Sequence, residues 1–340
     1  MNPVFDSVRS VIETMEDIYG MKHVRLLAVM LAFAICLAPA ASLSAEAEGR
    51  KLNIVTTIFP VYDWILQAAA EADHAEVSML LDSGVDLHSY RPTAADMMTI
   101  ATCDVFVYVG GESDKWVEDA LKGSVNPDQV VISLLDILGS DVKAEELIEG
   151  MEPESHEDGD GEEADEHVWL SLRNAQKLVT AIAVRLGEAD PDCAEAYSAG
   201  AAAYCERLAA LDARYSEVIS AAGHKTILFG DRFPFRYLAD DYGLTCYAAF
   251  SGCSAETEAG FRTIVFLAQK MDELNLPAVL TIEGSSHRIA ETVIQATAGK
   301  NQKILALDSM QSVTAAELQA GASYLGIMEE NLEILREALE

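Results

Sequence analysis

The sequence predicts an α/β protein of two lobes, each with a mostly parallel sheet, joined by one long rigid helix. Short apolar runs that are typical of strands alternate with helical runs along most of the chain. This alternation is typical of βαβ units. Near the middle, one uninterrupted helical pattern of about 32 residues, or about 48 Å, separates two such regions. The chain has 340 residues, half of them hydrophobic, which is enough for one or two cores.

Residues 1–47 are expected to be an upstream segment and a secretory signal peptide. The apolar run 26–38 follows Lys22 and Arg25 and precedes small residues, and it is too short for a membrane-spanning helix. Translation is expected to begin at Met21, although residues 1–20 carry the apolar stripe of an amphipathic helix. Lipid attachment at Cys36 is disfavoured because Ile35 is large. The mature chain is therefore expected to be periplasmic or bound to the outer face of the cytoplasmic membrane.

Residues 48–189 are predicted to form the first lobe. Thr93 is a plausible N-cap for the helix that follows the loop around His88. Gly187 is expected to end the last helix of this lobe. The predicted strands are 51–57, 75–81, 104–109 and 129–133, and the predicted helices are 60–71, 94–101, 116–121 and 172–186.

The segment 145–166 interrupts this lobe with twelve acidic residues, His156 and no lysine or arginine. Such a segment is usually a solvated loop. The alternative interpretation is a loose trap for cations at the mouth of a site. The spacing of its acidic residues does not match an EF-hand calcium loop.

Residues 190–222 are predicted to form the connecting helix, because Asp190-Pro191 is a strong helix start and Gly223 stops the pattern. Residues 223–340 are predicted to form the second lobe. Its strands are expected at 225–229, 244–248, 277–282 and 303–307, and its helices at 233–242, 256–274, 286–298 and 320–339.

Composition limits the partners. The net charge is −33 and the isoelectric point about 4.4, so the surface repels nucleic acid and anionic membranes and favours cations. Five cysteines follow the signal peptide, without a CxxC motif. Cys246 and Cys253 could form a disulfide across a loop. Small buried apolar positions are preferred for the others, Cys103, Cys193 and Cys205.

Metal-capable side chains follow several predicted strands, where a parallel sheet opens its binding crevice. His88 comes from the first lobe, and His167 ends the acidic segment. Asp231, Glu283 and Asp308 follow strands of the second lobe. Two imidazoles and two carboxylates would suit a first-row divalent ion held between the lobes. Each candidate also has an ordinary structural explanation: a surface histidine, or a carboxylate that caps the next helix.

Four segments carry a family resemblance. They are 85–96 (VDLHSYRPTAAD), 165–170 (DEHVWL), 230–244 (GDRFPFRYLADDYGL) and 307–310 (LDSM). In order and spacing they resemble the zinc- and manganese-binding solute receptors of bacterial ABC transporters, over roughly residues 52–339. The resemblance implies two α/β lobes, a rigid connecting helix and a metal between the lobes.

The same resemblance implies which residues hold the metal. His88, His167 and Asp308 match family ligands, Asp231 lies where many members have histidine, and Glu283 matches a nearby glutamate that is either a ligand or supports one. Zn²⁺ is favoured, with Mn²⁺ as the alternative, because two carboxylates also suit manganese. The implied partner is an ABC permease, and a monomer is expected.

An exported metallohydrolase is the alternative function. It would use the same ion, with an open coordination position and Glu283 as general base. The sequence has no HExxH or GxSxG motif, so a receptor without enzymatic activity is expected.

Overall fold

The computed structural model describes residues 51–72, 74–151, 163–254 and 258–340. The upstream segment, the signal peptide and Cys36 lie outside these residues, as do His156 and the centre of the acidic segment. Within the described part of the chain, no helix has the length and apolar character needed to cross a membrane.

The first sheet contains four parallel strands in the order β2-β1-β3-β4 among the described residues. Buried apolar residues fill β1 and β3, as expected for strands covered on both faces. The strands are β1 (Leu52–Thr56), β2 (Ala75–Met79), β3 (Val105–Tyr108) and β4 (Val130–Ser133). The helices are α1 (Phe59–Ala68), α2 (Ala94–Thr102), α3 (Val117–Leu121) and α4 (Leu134–Leu138). Thr93 caps α2 as predicted, in a capping box with Asp96.

The second sheet repeats this topology, with four parallel strands in the order β6-β5-β7-β8 within the described chain. Its strands are β5 (Thr226–Phe233), β6 (Thr245–Ser251), β7 (Ala278–Ile282) and β8 (Lys303–Leu307). The helices of this half are α7 (Arg236–Tyr242), α8 (Phe261–Leu274), α9 (Arg288–Ala296), α10 (Ala315–Gln319) and α11 (Tyr324–Ala338). The matching orders make β6 the counterpart of β2.

In the order of the sequence, two long helices separate the strands of the first sheet from those of the second: α5 (Leu172–Ala189) and α6 (Ala194–Ala221). The connecting helix α6 packs against α1, α5 and α11. Its buried residues recur every three or four positions, the spacing of a helix face: Tyr197, Ala201, Tyr204, Leu208, Leu211, Tyr215 and Ile219.

Several element boundaries differ from the predicted ones. Helix α5 continues through Gly187 because this glycine permits close packing: a Cβ there would lie 3.0 Å from the Cβ of Ala194. A 3-10 turn at Pro191–Cys193 precedes α6. The predicted closing helix corresponds to α11, and the short helices α4 and α10 were not predicted. Strand β5 is longer than expected because its pairing with β6 resumes after a register shift between Phe229 and Arg232.

Hydrogen bonds across the molecule fasten the segment that contains His167. The indole Nε1 of fully buried Trp169 donates to Ser309 O at 2.9 Å, and Tyr324 OH donates to Trp169 O at 2.6 Å. Tyr237 OH donates to Asp165 O at 2.9 Å. These hydrogen bonds therefore hold the His167 segment, which precedes α5 in the sequence, to the second lobe.

Candidate metal centre

His88 lies in a short turn beyond the carboxyl end of β2. The turn is a 3-10 helix at Leu87–Ser89, capped by Asp86, whose Oδ1 accepts a hydrogen bond from His88 N at 2.9 Å. The ring Nδ1 is hydrogen-bonded with Ser113 Oγ at 2.7 Å, and Glu166 Oε2 lies 3.5 Å from it. With Nδ1 engaged by oxygen atoms, Nε2 is the nitrogen that can bind a metal ion.

His167 is fully buried and is oriented by a single carboxylate. Asp165 Oδ1 lies 2.9 Å from both the backbone nitrogen and the ring Nδ1 of His167. A carboxylate at Nδ1 holds a proton on that nitrogen, so Nε2 is the ring nitrogen that can bind a metal ion. This arrangement is the one that carboxylate–histidine pairs use around metal ions.

The two imidazoles contact each other through their Nε2 atoms. His88 Nε2 and His167 Nε2 are 3.0 Å apart, with ring centroids 5.0 Å apart. Two nitrogen ligands of a tetrahedral zinc ion would be separated by roughly 3.3 Å, given Zn–N bonds of about 2.0–2.1 Å. The two Nε2 atoms are therefore about as far apart as two ligands of one metal ion. A hydrogen bond in which the two nitrogens share one proton also accounts for this distance.

The two rings differ in their affinity for a proton. Burial, and then the charge of His167, lower the pKa of His88 to about 3. Burial also disfavours charge on His167, but the hydrogen bond and charge of Asp165 outweigh it and raise the pKa of His167. A shared proton therefore resides on His167, and a metal ion must displace it.

Cys253 is the third donor at this point. One ligand atom from each of His88, His167 and Cys253 lies within 4.8 Å of the other two. Cys246 and Cys253 are both free thiols, so the disulfide considered from the sequence is not formed. The available signal was the position of Cys253 in the loop after a predicted strand, the same kind of position that drew attention to the carboxylates.

Asp231 lies within β5, next to the register shift, whereas the sequence placed it after the strand. Its Oδ1 accepts a hydrogen bond from Arg232 N at 2.9 Å, and its Oδ2 accepts one from Ile282 N at 3.4 Å. The carboxylate thus joins the ends of β5 and β7. It is outside the His88, His167 and Cys253 group.

Asp308 and Glu283 lie together at the ends of β8 and β7, also outside that group. Asp308 Oδ1 accepts from Met310 N at 2.7 Å, and Glu283 accepts from Ser309 N at 2.8 Å and Ser309 Oγ at 2.7 Å. Burial, and then the charge of Asp308, raise the pKa of Glu283 to about 7. The structure therefore does not bring all the predicted ligands to one point.

The surroundings of the imidazoles are strongly charged. Burial raises the pKa of Asp114 to about 7, with a contribution from the charge of Glu166, and burial also raises the pKa of Glu166. Arg232 forms an ion pair with Asp86, and both residues line a cleft of about 420 Å³ together with Asp231 and Glu283. Carboxylates thus surround the histidines, and the guanidinium of Arg232 is paired with one of these carboxylates.

A second trio of donor atoms, from His74, Asp190 and Cys193, has an ordinary structural explanation. His74 Nδ1 lies 2.8 Å from Asp190 Oδ2, and Tyr197 OH donates to the same oxygen at 3.0 Å. These bonds hold the start of β2 against the start of the connecting helix.

Comparisons with known proteins agree on one family. The sequence profile of the periplasmic component A of zinc-uptake complexes, ZnuA, matches residues 54–338. The zinc-binding lipoprotein AdcA of Streptococcus pneumoniae is 33% identical over 88% of this chain, and the chain spans only 58% of that relative. The high-affinity zinc uptake system protein ZnuA of Bacillus subtilis is 30% identical over 87% of this chain and 90% of its own length.

Solved structures show the same fold. The Zn(II)-bound ZnuA-like domain of the pneumococcal AdcA superposes with a TM-score of 0.65 at 31% identity, covering 85% of this chain and 99% of that domain. The metal-dependent lipoprotein YcdH of Bacillus subtilis gives a TM-score of 0.68 at 27% identity over 85% of this chain. The two-lobed α/β architecture expected from the sequence is thereby confirmed. The chain belongs to the ZnuA family, the periplasmic component A of zinc-uptake complexes.

Proposed function

We propose that the mature chain is an extracytoplasmic solute-binding protein that captures a divalent transition metal and delivers it to an ABC permease. The observation that carries this proposal is the His88–His167 pair, with its two Nε2 atoms 3.0 Å apart and both Nδ1 atoms held by oxygen partners. The named relatives support zinc as the ion, and manganese is the second candidate. The receptor works outside the cytoplasmic membrane as a monomer and does not bind nucleic acid.

Capture and delivery follow from the charges and contacts around the pair. The excess of carboxylates attracts a cation, and the imidazoles bind it after the proton on His167 leaves. The hydrogen bonds of Trp169 and Tyr237 join the His167 segment to the second lobe, so wide opening of the lobes is disfavoured. Loading is therefore signalled by local shifts of the loops around the ion rather than by a large hinge motion.

We propose no enzymatic activity. A metallohydrolase needs a base beside the water on its metal ion. Glu283, the candidate for that role, accepts hydrogen bonds from Ser309 N, Ser309 Oγ and Gln311 N. These bonds direct its carboxylate to the loop after β8.

A parallel titration with zinc and manganese tests the proposal. Residues 48–340 would be stripped of metal and titrated as wild type, His88→Ala and His224→Ala, the last being a matched histidine outside the pair. We expect one tight zinc equivalent in the wild type and in His224→Ala, and its loss in His88→Ala. No stoichiometric binding, or unchanged binding in His88→Ala, would overturn the receptor proposal.

A further inference from the structure

Cys253 approaches the two imidazoles from the second lobe. Its Sγ lies within 4.8 Å of a ring nitrogen of His88 and of His167. We propose that the Cys253 thiolate is the third metal ligand, and that the resulting set of two imidazoles and one thiolate selects zinc over manganese. This inference rests on the proposed function and specifies the chemistry of the same centre.

The backbone before Cys253 is shaped to bring the thiol to this position. Gly252 packs against the His167 ring: a Cβ at residue 252 would lie 2.9 Å from His167 Cε1 and 3.1 Å from His167 Nδ1. Only glycine permits so close an approach of backbone to ring. Cys253 N donates to Glu145 Oε1 at 3.1 Å, which ties the turn to the base of the acidic segment. The thiol is thus placed by contacts on both sides.

The topology gives a second reason for a shared site. His88 follows β2, and Cys253 follows β6, which holds the corresponding place in the second sheet. The carboxyl ends of these two edge strands therefore each supply one donor. His167, fastened to both lobes, supplies the third. An ion bound to all three would connect the two sheets.

The donor types discriminate between the two candidate metals. Thiolate sulfur binds zinc well, whereas manganese prefers oxygen ligands. Histidine nitrogen and cysteine sulfur are both ligand types that tetrahedral zinc accepts, and three such ligands leave a fourth position for water or another ligand. When the Zn–S bond forms, the thiol proton leaves to solvent. The alternative is that Cys253 is only a small buried apolar residue beside a histidine pair.

Cobalt(II) distinguishes these interpretations, because a thiolate bound to cobalt gives an intense near-ultraviolet charge-transfer band that imidazole and carboxylate do not. Reduced protein, residues 48–340, would be titrated with cobalt and then with zinc. We expect the band in the wild type, its loss when zinc displaces cobalt, and a preference for zinc over manganese. In Cys253→Ser the band should be absent and zinc affinity should fall by about 100-fold or more, beyond the ~10–100-fold typical of residues that only support ligands.

Cys246→Ser is the matched control, since Cys246 is a buried thiol outside the donor group. It should keep both the band and the zinc affinity. Stoichiometric cobalt binding without the band in the wild type, or zinc affinity within about twofold of wild type in Cys253→Ser, would overturn the thiolate inference and leave the receptor proposal intact. Failure of the wild type to bind either metal would overturn both. The wild-type spectrum decides even if Cys253→Ser does not fold.

Discussion

At the scale of single residues, the contact between Asp165 and His167 has the most direct consequence for metal binding. One carboxylate oxygen lies within hydrogen-bond distance of both the backbone and the ring nitrogen of His167, so it fixes ring orientation and tautomer together. Asp165→Asn keeps the size of the side chain and removes the charge. We expect zinc affinity to fall by about 10–100-fold, as for other residues that orient a ligand histidine.

A competition titration with a chelator of known affinity measures this change. Asp190→Asn is the control, because Asp190 makes a similar 2.8 Å contact to the Nδ1 of His74, and both residues are outside the group of His88, His167 and Cys253. Its zinc affinity should match that of the wild type. Equal losses in the two variants would show that Asp165 has no specific role at the centre.

The proton on His167 predicts the pH dependence. Asp165 raises the pKa of His167 in spite of burial, so His167 stays protonated to a higher pH than an ordinary histidine. A protonated Nε2 has no lone pair, so His167 should contribute a fall in zinc affinity of up to about tenfold per pH unit as the pH drops through this raised pKa, in addition to the fall caused by the proton that Cys253 releases on binding. His88, with its pKa lowered to about 3, stays neutral over this range and adds nothing to the slope.

Zinc dissociation constants at pH 8, 7, 6 and 5 measure the slope. In Asp165→Asn the contribution of His167 to the fall should begin at a lower pH, because the group that raises the pKa of His167 is gone. His74→Ala should keep the wild-type slope. An affinity that is constant from pH 8 to pH 5 would contradict the role of the histidines as ligands.

At the scale of elements, the turn after β6 is defined by its contact with the His167 ring. Gly252→Ala would place a methyl group 2.9 Å from His167 Cε1, so the turn or the ring must move. We expect a loss of about 1–3 kcal/mol in the free energy of unfolding, typical of overpacking, together with weaker zinc binding. Urea denaturation and zinc titration measure the two effects.

Gly123→Ala is the control for the added methyl group. Its Cβ would lie 3.3 Å from Ala120 O and far along the chain from the donor residues. It should leave zinc affinity unchanged. If Gly252→Ala binds zinc as the wild type does, the turn after β6 takes no part in shaping the centre.

Element types were predictable because each strand is a short apolar run between helical patterns. Thr93 and the strands around it were placed within a few residues. Asp231 was misplaced because a register shift between Phe229 and Arg232 extends β5, and a shift in pairing has no clear pattern in one sequence. Gly187 was taken as a helix end although its role is close packing, which depends on a partner helix the local sequence does not reveal.

Only part of the candidate site could be predicted from the sequence. His88 and His167 stand out as polar residues in loops with a distinctive local pattern, and the structure brings their Nε2 atoms together. Cys253 was missed because a cysteine near a second cysteine suggested a disulfide. Its proximity to the histidines depends on how the two sheets are placed, which is a property of the tertiary fold.

At the scale of the whole molecule, the contact between Trp169 and Ser309 joins segments that are 140 residues apart. Trp169→Phe would remove the indole donor and leave the buried Ser309 carbonyl without this partner. We expect a loss of about 1–3 kcal/mol in the free energy of unfolding from the unpaired carbonyl, in addition to the loss of ring volume.

Trp64→Phe separates the two contributions. Trp64 is equally buried, but its Nε1 makes no hydrogen bond to the described residues, so this variant loses ring volume without losing a hydrogen bond. Urea unfolding of both variants without metal gives the comparison. Equal losses would mean that the bond from Trp169 to Ser309 contributes nothing to stability.

The donor residues are far apart in sequence: 79 positions separate His88 from His167, and Cys253 lies in the other half of the chain. An ion that binds all three would act as a reversible cross-link that closes long loops of the polypeptide. Since only the folded chain presents the donors together, the population of unfolded molecules would rise as free metal becomes scarce. Proteases attack unfolded chains first, so the lifetime of the protein would depend on the metal that it binds.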